Sequence, residues 1–172
     1  MKYTSLLFVL ASIFTTSVHA MADTVSPDLA DLKNYQVNNS KMISSGLPNQ
    51  QQFDVLKTMG VTQVIDLIPG DRTEESALMT VMSLSYHNIP VDWENPTIDN
   101  FNEYVVLMQQ FNSNEGKTLT HCRLNWRGAV FTYLYRVTQL HEPEELAKQD
   151  MLDIWLPNET WQDFIDQVKA QH

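Results

Sequence analysis

Beyond residue 40 the apolar positions switch repeatedly between two periods. Lys41–Ser45 is a brief run closed by Gly46 and Pro48, which suits a short edge strand. In Asn49–Met59, Phe53, Leu56 and Met59 share one helical face, and Gly60 stops the helix. Val61–Ile68 is largely apolar and β-branched and ends at Pro69-Gly70, the pattern of a strand buried on both faces. Thr73 can cap a helix whose first turn holds Glu74 and Glu75 and whose buried stripe is Ala77, Leu78, Val81 and Met82. Tyr86–Val91 reads as another short strand and Asp92–Pro96 as a loop. Thr97 then caps a helix with Ile98, Phe101, Val105 and Met108 at spacings of three and four. Thr118–His121 is a strand running straight into Cys122. The run AVFTYLYRVTQL after Gly128 is apolar on nearly every side, as befits a helix in the middle of a domain. Pro143 and Asn158 open two more helices, the last with Trp161, Phe164, Ile165 and Val168 as its stripe.

Strands separated by helices predict one α/β domain over residues 41–172, with a central, mostly parallel sheet of four to five strands flanked by helices. In such sheets ligands sit beyond the carboxyl ends of the strands, where Asp66, Asp92 and Cys122 all fall.

The first residues follow another rule. Lys2 precedes an apolar stretch from Leu6 to about Phe14, and small residues follow at Val18, Ala20 and Ala22. Residues 1–20 therefore read as a secretory signal, which places the mature protein in the periplasm or outside the cell. Thr15, Thr16, Ser17 and His19 break the stretch too early for a membrane anchor. Residues 21–40 are polar and read as a loose N-terminal segment.

Composition narrows the chemistry. A chain of 172 residues, 43% of them hydrophobic, suffices for one well-cored domain. A net charge of −10 disfavours nucleic acid and anionic membrane surfaces as partners. The lone cysteine excludes an intrachain disulfide and a cysteine-based zinc cluster. Two of only four arginines, Arg123 and Arg127, fall just behind it. A positive spot on so acidic a chain is explained by an anionic ligand.

The segment HCRLNWRG carries the case. A strand leads into Cys122, four residues intervene, and Arg127 opens a helix. Backbone amides of such a loop, aimed inward beside a helix N-terminus, make a nest for an anion and favour the thiolate. The Arg127 guanidinium offers a planar fork to two oxygens of a tetrahedral oxyanion.

HCRLNWR resembles the loop of cysteine-dependent dual-specificity phosphatases, and more closely that of their bacterial relatives, the beta-lactamase-hydrolase-like, phosphatase-like family. SSGLP, VTQVIDLIPGD and YHNIPVDWENPT resemble that family's successive segments, so the likeness spans roughly residues 35 to 140. The resemblance implies a dual-specificity-phosphatase-like fold and hydrolysis of phosphate monoesters on a small phosphorylated or other oxyanionic substrate, with no metal or cofactor. It implies Cys122 as nucleophile, and Arg127 with the amides of Arg123, Leu124, Asn125, Trp126 and Gly128 as the phosphate cradle. It implies Asp92 as general acid and His121 as an auxiliary residue that tunes the loop. Read from the residues alone, Glu94 is a rival acid two positions on. Asp66 reads as a structural partner for a neighbouring loop.

The loop also departs from the family. Asn125 stands where glycine is usual; if that position needs positive φ, asparagine is the next most tolerant residue. Leu124 and Trp126 are bulky, and Gly128 replaces a hydroxyl residue that assists the cysteine as leaving group. Arginine comes one position earlier than in most phosphatases. The short loop leaves open a rhodanese-like sulfurtransferase carrying a persulfide on Cys122, and the departures together leave open a non-catalytic oxyanion-binding protein.

Overall fold

The computed structural model describes residues 29–112 and 115–172; the signal sequence expected at 1–20 lies outside the described residues. One five-stranded sheet is built from β1 (Gln36–Val37), β2 (Met42–Ser45), β3 (Val61–Asp66), β4 (Ser85–Asn88) and β5 (Lys117–His121). Its order is β1-β2-β5-β3-β4; β1 runs antiparallel and the other four strands are parallel. The helices are α1 (Gln50–Thr58), α2 (Thr73–Val81), α3 (Ile98–Asn112), α4 (Trp126–Thr138), α5 (Glu144–Ile154) and α6 (Glu159–Gln171).

Strand alternation sorts the core into two clusters. Ile43, Val64 and Leu119 point to one face, against Phe53 and Leu56 of α1 and Met79 of α2. Met42, Ile65 and Cys122 point to the other, where α3, α4, α5 and α6 pack. α4 lies in the middle of that layer, with Gly128 through Arg136 all buried, as its unbroken apolar run predicts. Asn158 opens α6 as expected, its Oδ1 accepting from the Trp161 amide at 3.1 Å, and Asn49 and Gln52 close a capping box on α1. The cap expected of Thr73 is not made: Arg72 holds the N-cap position of α2, with no side-chain cap bond. Thr97 Oγ1 accepts from the Asn100 amide at the start of α3.

Three further expectations are corrected. The strand at 42–45 is interior, because β1 pairs on its far side and takes the edge. The described part of the segment read as loose, residues 29–40, is packed onto the domain: Leu29 and Leu32 are buried in the α1–α2 core and β1 lies within it. The face of α2 is also rotated. Val81 is 82% exposed, and Met79 and Met82 are the buried residues. Arg72 and Glu75 share the Met79–Met82 face by helical spacing, and both are held by polar groups at the sheet.

Those groups centre on Asp66, fully buried at the end of β3. Its Oδ1 accepts from the Ile68 amide at 2.8 Å, the loop-bracing role expected for it. Its Oδ2 accepts from Tyr86 at 2.8 Å and from Arg72 Nε at 2.5 Å. Burial opposes the Arg72 charge, but the hydrogen bond and charge of Asp66 and the charge of Glu75 outweigh it, and the pKa of Arg72 rises. Burial first, then the Asp66 carboxylate, push the Tyr86 phenol above its ordinary value. Burial does the same to Tyr104, which is hydrogen bonded to Thr120.

Two predictions follow from this packing. Ile65→Ala, in a site with no exposure, costs about 3 kcal/mol in urea unfolding. Phenols with raised folded pKa values keep their protons where the unfolded chain has lost them. Their contribution is therefore complete below about pH 10 and drains away as pH rises beyond it. In Tyr86→Phe the alkaline loss of stability is shallower than in the parent, read from urea midpoints at successive pH values.

Candidate active site

β5 ends by placing neighbouring residues on opposite faces. His121 projects toward α1, edge-on to Phe53 with ring centroids 6.0 Å apart, while Cys122 joins the α4 side of the core. The chain then has to reverse into α4 within four residues. Asn125 makes the reversal in the left-handed region, at φ 63°, as the expectation for a glycine substitute requires.

The outer edge of this loop is pinned. The Cys122 amide donates to Ser45 O, and the Leu47 amide donates to Arg123 O. Leu124 forms an isolated antiparallel bridge with Gly46, and its carbonyl accepts from Asn34 Nδ2 at 2.8 Å. Gly46 leaves no room for a side chain: a Cβ there would lie 2.8 Å from Lys33 Cβ and 3.0 Å from Arg123 O. With the carbonyls of Arg123 and Leu124 turned outward, the first-turn amides of α4 at Trp126, Arg127 and Gly128 have no acceptor within the helix, whose first bond is Ala129 N to Asn125 O. That is the donor set an anion needs.

Cys122, Arg123, Leu124, Trp126, Arg127 and Trp93 line one open depression of about 170 Å³. Cys122 is only 1% exposed, packed into the α4 side of the core, and borders this depression. Arg127 donates from Nε to Val91 O at 3.0 Å, and its guanidinium carbon lies 5.3 Å from the Trp93 ring centroid. No carboxylate among the described residues pairs with Arg127. Leu124 is 41% exposed at the rim, and Arg123 is exposed beside it. Trp126 forms a wall, stacked on Trp155 with centroids 5.3 Å apart.

All four tryptophans meet here. Trp93 packs against Trp126, Trp155 and Trp161 at centroid distances of 5.2 to 5.6 Å. Trp161 Nε1 donates to Trp93 O and Trp155 Nε1 to Trp126 O. α6 and the end of α5 thus hold the loop after β4 against the start of α4. Trp161 is fully buried, as its stripe predicts, whereas Trp155 is half-buried and braces the wall. Trp93 is the site residue that sequence reasoning missed, although its place next to Asp92 was a usable signal.

Asp92 sits between Val91 and Trp93, the two residues that hold Arg127, but its own carboxylate is not among the lining groups. It is exposed, and Oδ1 accepts from the Glu94 amide at 2.9 Å. Asn125 and Gly128 are buried and do not line the depression, and Asn125 Oδ1 occupies the place a Cβ at 128 would take. His121 is buried beneath it, with Nε2 2.8 Å from Glu75 Oε1 and Nδ1 3.8 Å from Asp66 Oδ1. Asp66, Glu75 and His121 are close enough in space to hold a metal ion. Arg72 already spans both carboxylates, however, and a dication would face its guanidinium. The donor set therefore fits an internal ion-pair network better than a metal.

No family model matches this chain, and no curated protein does. Solved structures do match. A phosphatase-like DUF442 protein of Shewanella putrefaciens CN-32 aligns at TM-score 0.74 and 34% identity, over 84% of this chain and 96% of that one. TpbA of P. aeruginosa aligns at TM-score 0.67 and 19% identity, over 86% of this chain and 91% of its own. The core catalytic domain of the S. cerevisiae PP-IP phosphatase SIW14 aligns at TM-score 0.67 and 14% identity, over 80% and 86%. The last two likenesses speak for the fold alone, that of cysteine-dependent dual-specificity and tyrosine phosphatases. With 34% of the aligned residues identical across nearly the whole length of the Shewanella protein, this chain belongs to the DUF442 phosphatase-like family.

Proposed function

We propose that the protein hydrolyses phosphate monoesters through a phosphocysteine on Cys122. The observation that carries the reading is the meeting of Cys122, an Arg127 with no carboxylate partner among the described residues and the start of α4 at one depression. The Cys122 thiolate attacks phosphorus as the ester P–O bond breaks, and Asp92 gives its proton to the leaving oxygen. Arg127 and the amides of residues 123–128 hold the equatorial oxygens. Water then attacks phosphorus, the P–S bond breaks, and Asp92 recovers a proton. His121 acts only from beneath, through the backbone of the strand that ends in Cys122.

The rim supports a narrower reading of the substrate. Trp93, Trp126 and Leu124 offer flat apolar surface beside the phosphate cradle, which suits a singly phosphorylated aryl or apolar leaving group. The TpbA variant with serine for its cysteine, 18% identical to this chain, is solved in complex with pTyr. A polyphosphorylated ligand fits poorly with a chain of net charge −10. Export follows from the leader sequence, with the periplasm or the exterior as the site of action.

Gly128 brings no hydroxyl to help sulfur depart, so breakdown of the intermediate is the slow step. With p-nitrophenyl phosphate, a burst of one equivalent of nitrophenol precedes a slow steady state. Cys122→Ser abolishes both phases, and turnover that survives it overturns the mechanism. Asp92→Asn lowers the burst rate about 100-fold or more for alkyl phosphates and far less for nitrophenol, which needs no proton. Expressed with its leader in a bacterium, the chain is recovered from the periplasm or medium and begins near residue 21 on N-terminal sequencing.

A further inference from the structure

The loop from 122 to 128 is held by a turn that lies outside the depression. Asn34, exposed on the N-terminal turn and itself at φ 48°, donates from Nδ2 to Leu124 O at 2.8 Å. Asn125, fully buried, answers with Nδ2 to Asn34 O at 2.7 Å and to Ser44 Oγ at 2.9 Å. Beside them the Gly46 amide donates to Lys33 O at 2.6 Å. The turn cannot swing away cheaply, because Leu29 and Leu32 anchor it in the core.

The opposite side of Asn125 is closed as tightly. A Cβ at Gly128 would lie 2.4 Å from Asn125 Oδ1, a buried oxygen with no hydrogen-bond partner among the described residues. The amide group of Asn125 therefore fills the space in which a side chain at 128 would stand. Its orientation is fixed, since both Nδ2 bonds run to acceptors on Asn34 and Ser44. Backbone at 125 sets the angle between the loop and α4, and with it the aim of the amides at 126–128.

We propose that Asn34 is a positioning residue for the oxyanion site, acting through Leu124 and Asn125 to fix the loop in its anion-binding shape. The proposal rests on the reading of this loop as a phosphate cradle, and adds a residue of the N-terminal turn to its machinery. Asn34→Gly tests it most cleanly: glycine accepts φ 48° and keeps the carbonyl that Asn125 needs, so only the side-chain bond to Leu124 is lost. Asn34→Asp keeps size and tolerance of that conformation but removes the donor.

Orthovanadate, which takes up the five-coordinate geometry of the transition state, is the probe. In Asn34→Gly its dissociation constant and kcat for p-nitrophenyl phosphate each worsen about tenfold, while inorganic phosphate binding changes less. Asn34→Asp behaves alike. Asn34→Gly combined with Asn125→Gly loses little more than Asn125→Gly alone, because both break one clasp. Unchanged vanadate affinity in Asn34→Gly, losses that simply add, or a fall in melting temperature without any change in the vanadate-to-phosphate ratio overturns the proposal. If the parent binds vanadate but turns over no ester, the hydrolase reading fails and the vanadate series still decides the clasp. A parent that binds neither anion ends both.

Discussion

The constraint on which this site depends is a reversal of direction. A parallel strand delivers Cys122 to the carboxyl edge of the sheet, and α4 must begin four residues later with its N-terminus facing back toward the sulfur. Only a left-handed residue makes that turn without breaking the helix start, and Asn125 supplies it. Asparagine carries a side chain that glycine does not, and the fold has to house it. It does so between Ser44 of β2, the backbone of Asn34 and the bare Cα of Gly128. The two departures that look independent in the sequence, asparagine at 125 and glycine at 128, are one steric fact. A buried Oδ1 with no partner is the residual cost, about 1–3 kcal/mol by ordinary reckoning.

Strand alternation sets the division of labour around the reversal. Because side chains of β5 point to opposite faces in turn, His121 and Cys122 cannot share an environment. The histidine enters a polar pocket with Asp66, Glu75 and Arg72, and the cysteine enters the α4 layer. The polar pocket ties β5, β3, β4 and α2 together just beneath the loop, through Tyr86 and the Ile68 amide as well. The same pocket explains the rotation of α2. Two charged residues, Arg72 and Glu75, outweigh the burial of Val81 in fixing which side of that helix faces the sheet.

That rotation marks the limit of what periodicity reveals. β3, α1, α4 and α6 were legible because their apolar residues all bury against apolar neighbours, and pattern alone decides such elements. α2 was misread because its buried face is half ionic, and an amphipathic stripe cannot weigh a salt bridge made to a distant strand. The turn at 29–35 looked loose for a related reason: Leu29 and Leu32 are isolated in a polar stretch, and only the tertiary fold gives them a pocket. The loop itself was readable, since cysteine, arginine and a helix start stand in fixed spacing. Its supports were not. Asn34 and Ser44 lie roughly ninety and eighty residues from Asn125, and nothing local announces either bond.

The holding of Arg127 completes the electrostatic logic. In a chain of net charge −10 a guanidinium would ordinarily find a carboxylate, as Arg72 and Arg136 both do. Arg127 is held by neutral groups, a carbonyl at Val91 and the face of Trp93. These fix its orientation without spending its charge, so the full positive field remains at the mouth of the depression. The tryptophan wall strengthens that field by keeping water from one side of it. The same loop carries Asp92 between the two holders of Arg127. Asp92 Oδ1 is held by the Glu94 amide, and turning the carboxylate toward the depression gives up that bond. One short loop thus carries both that carboxylate and the groups that orient Arg127.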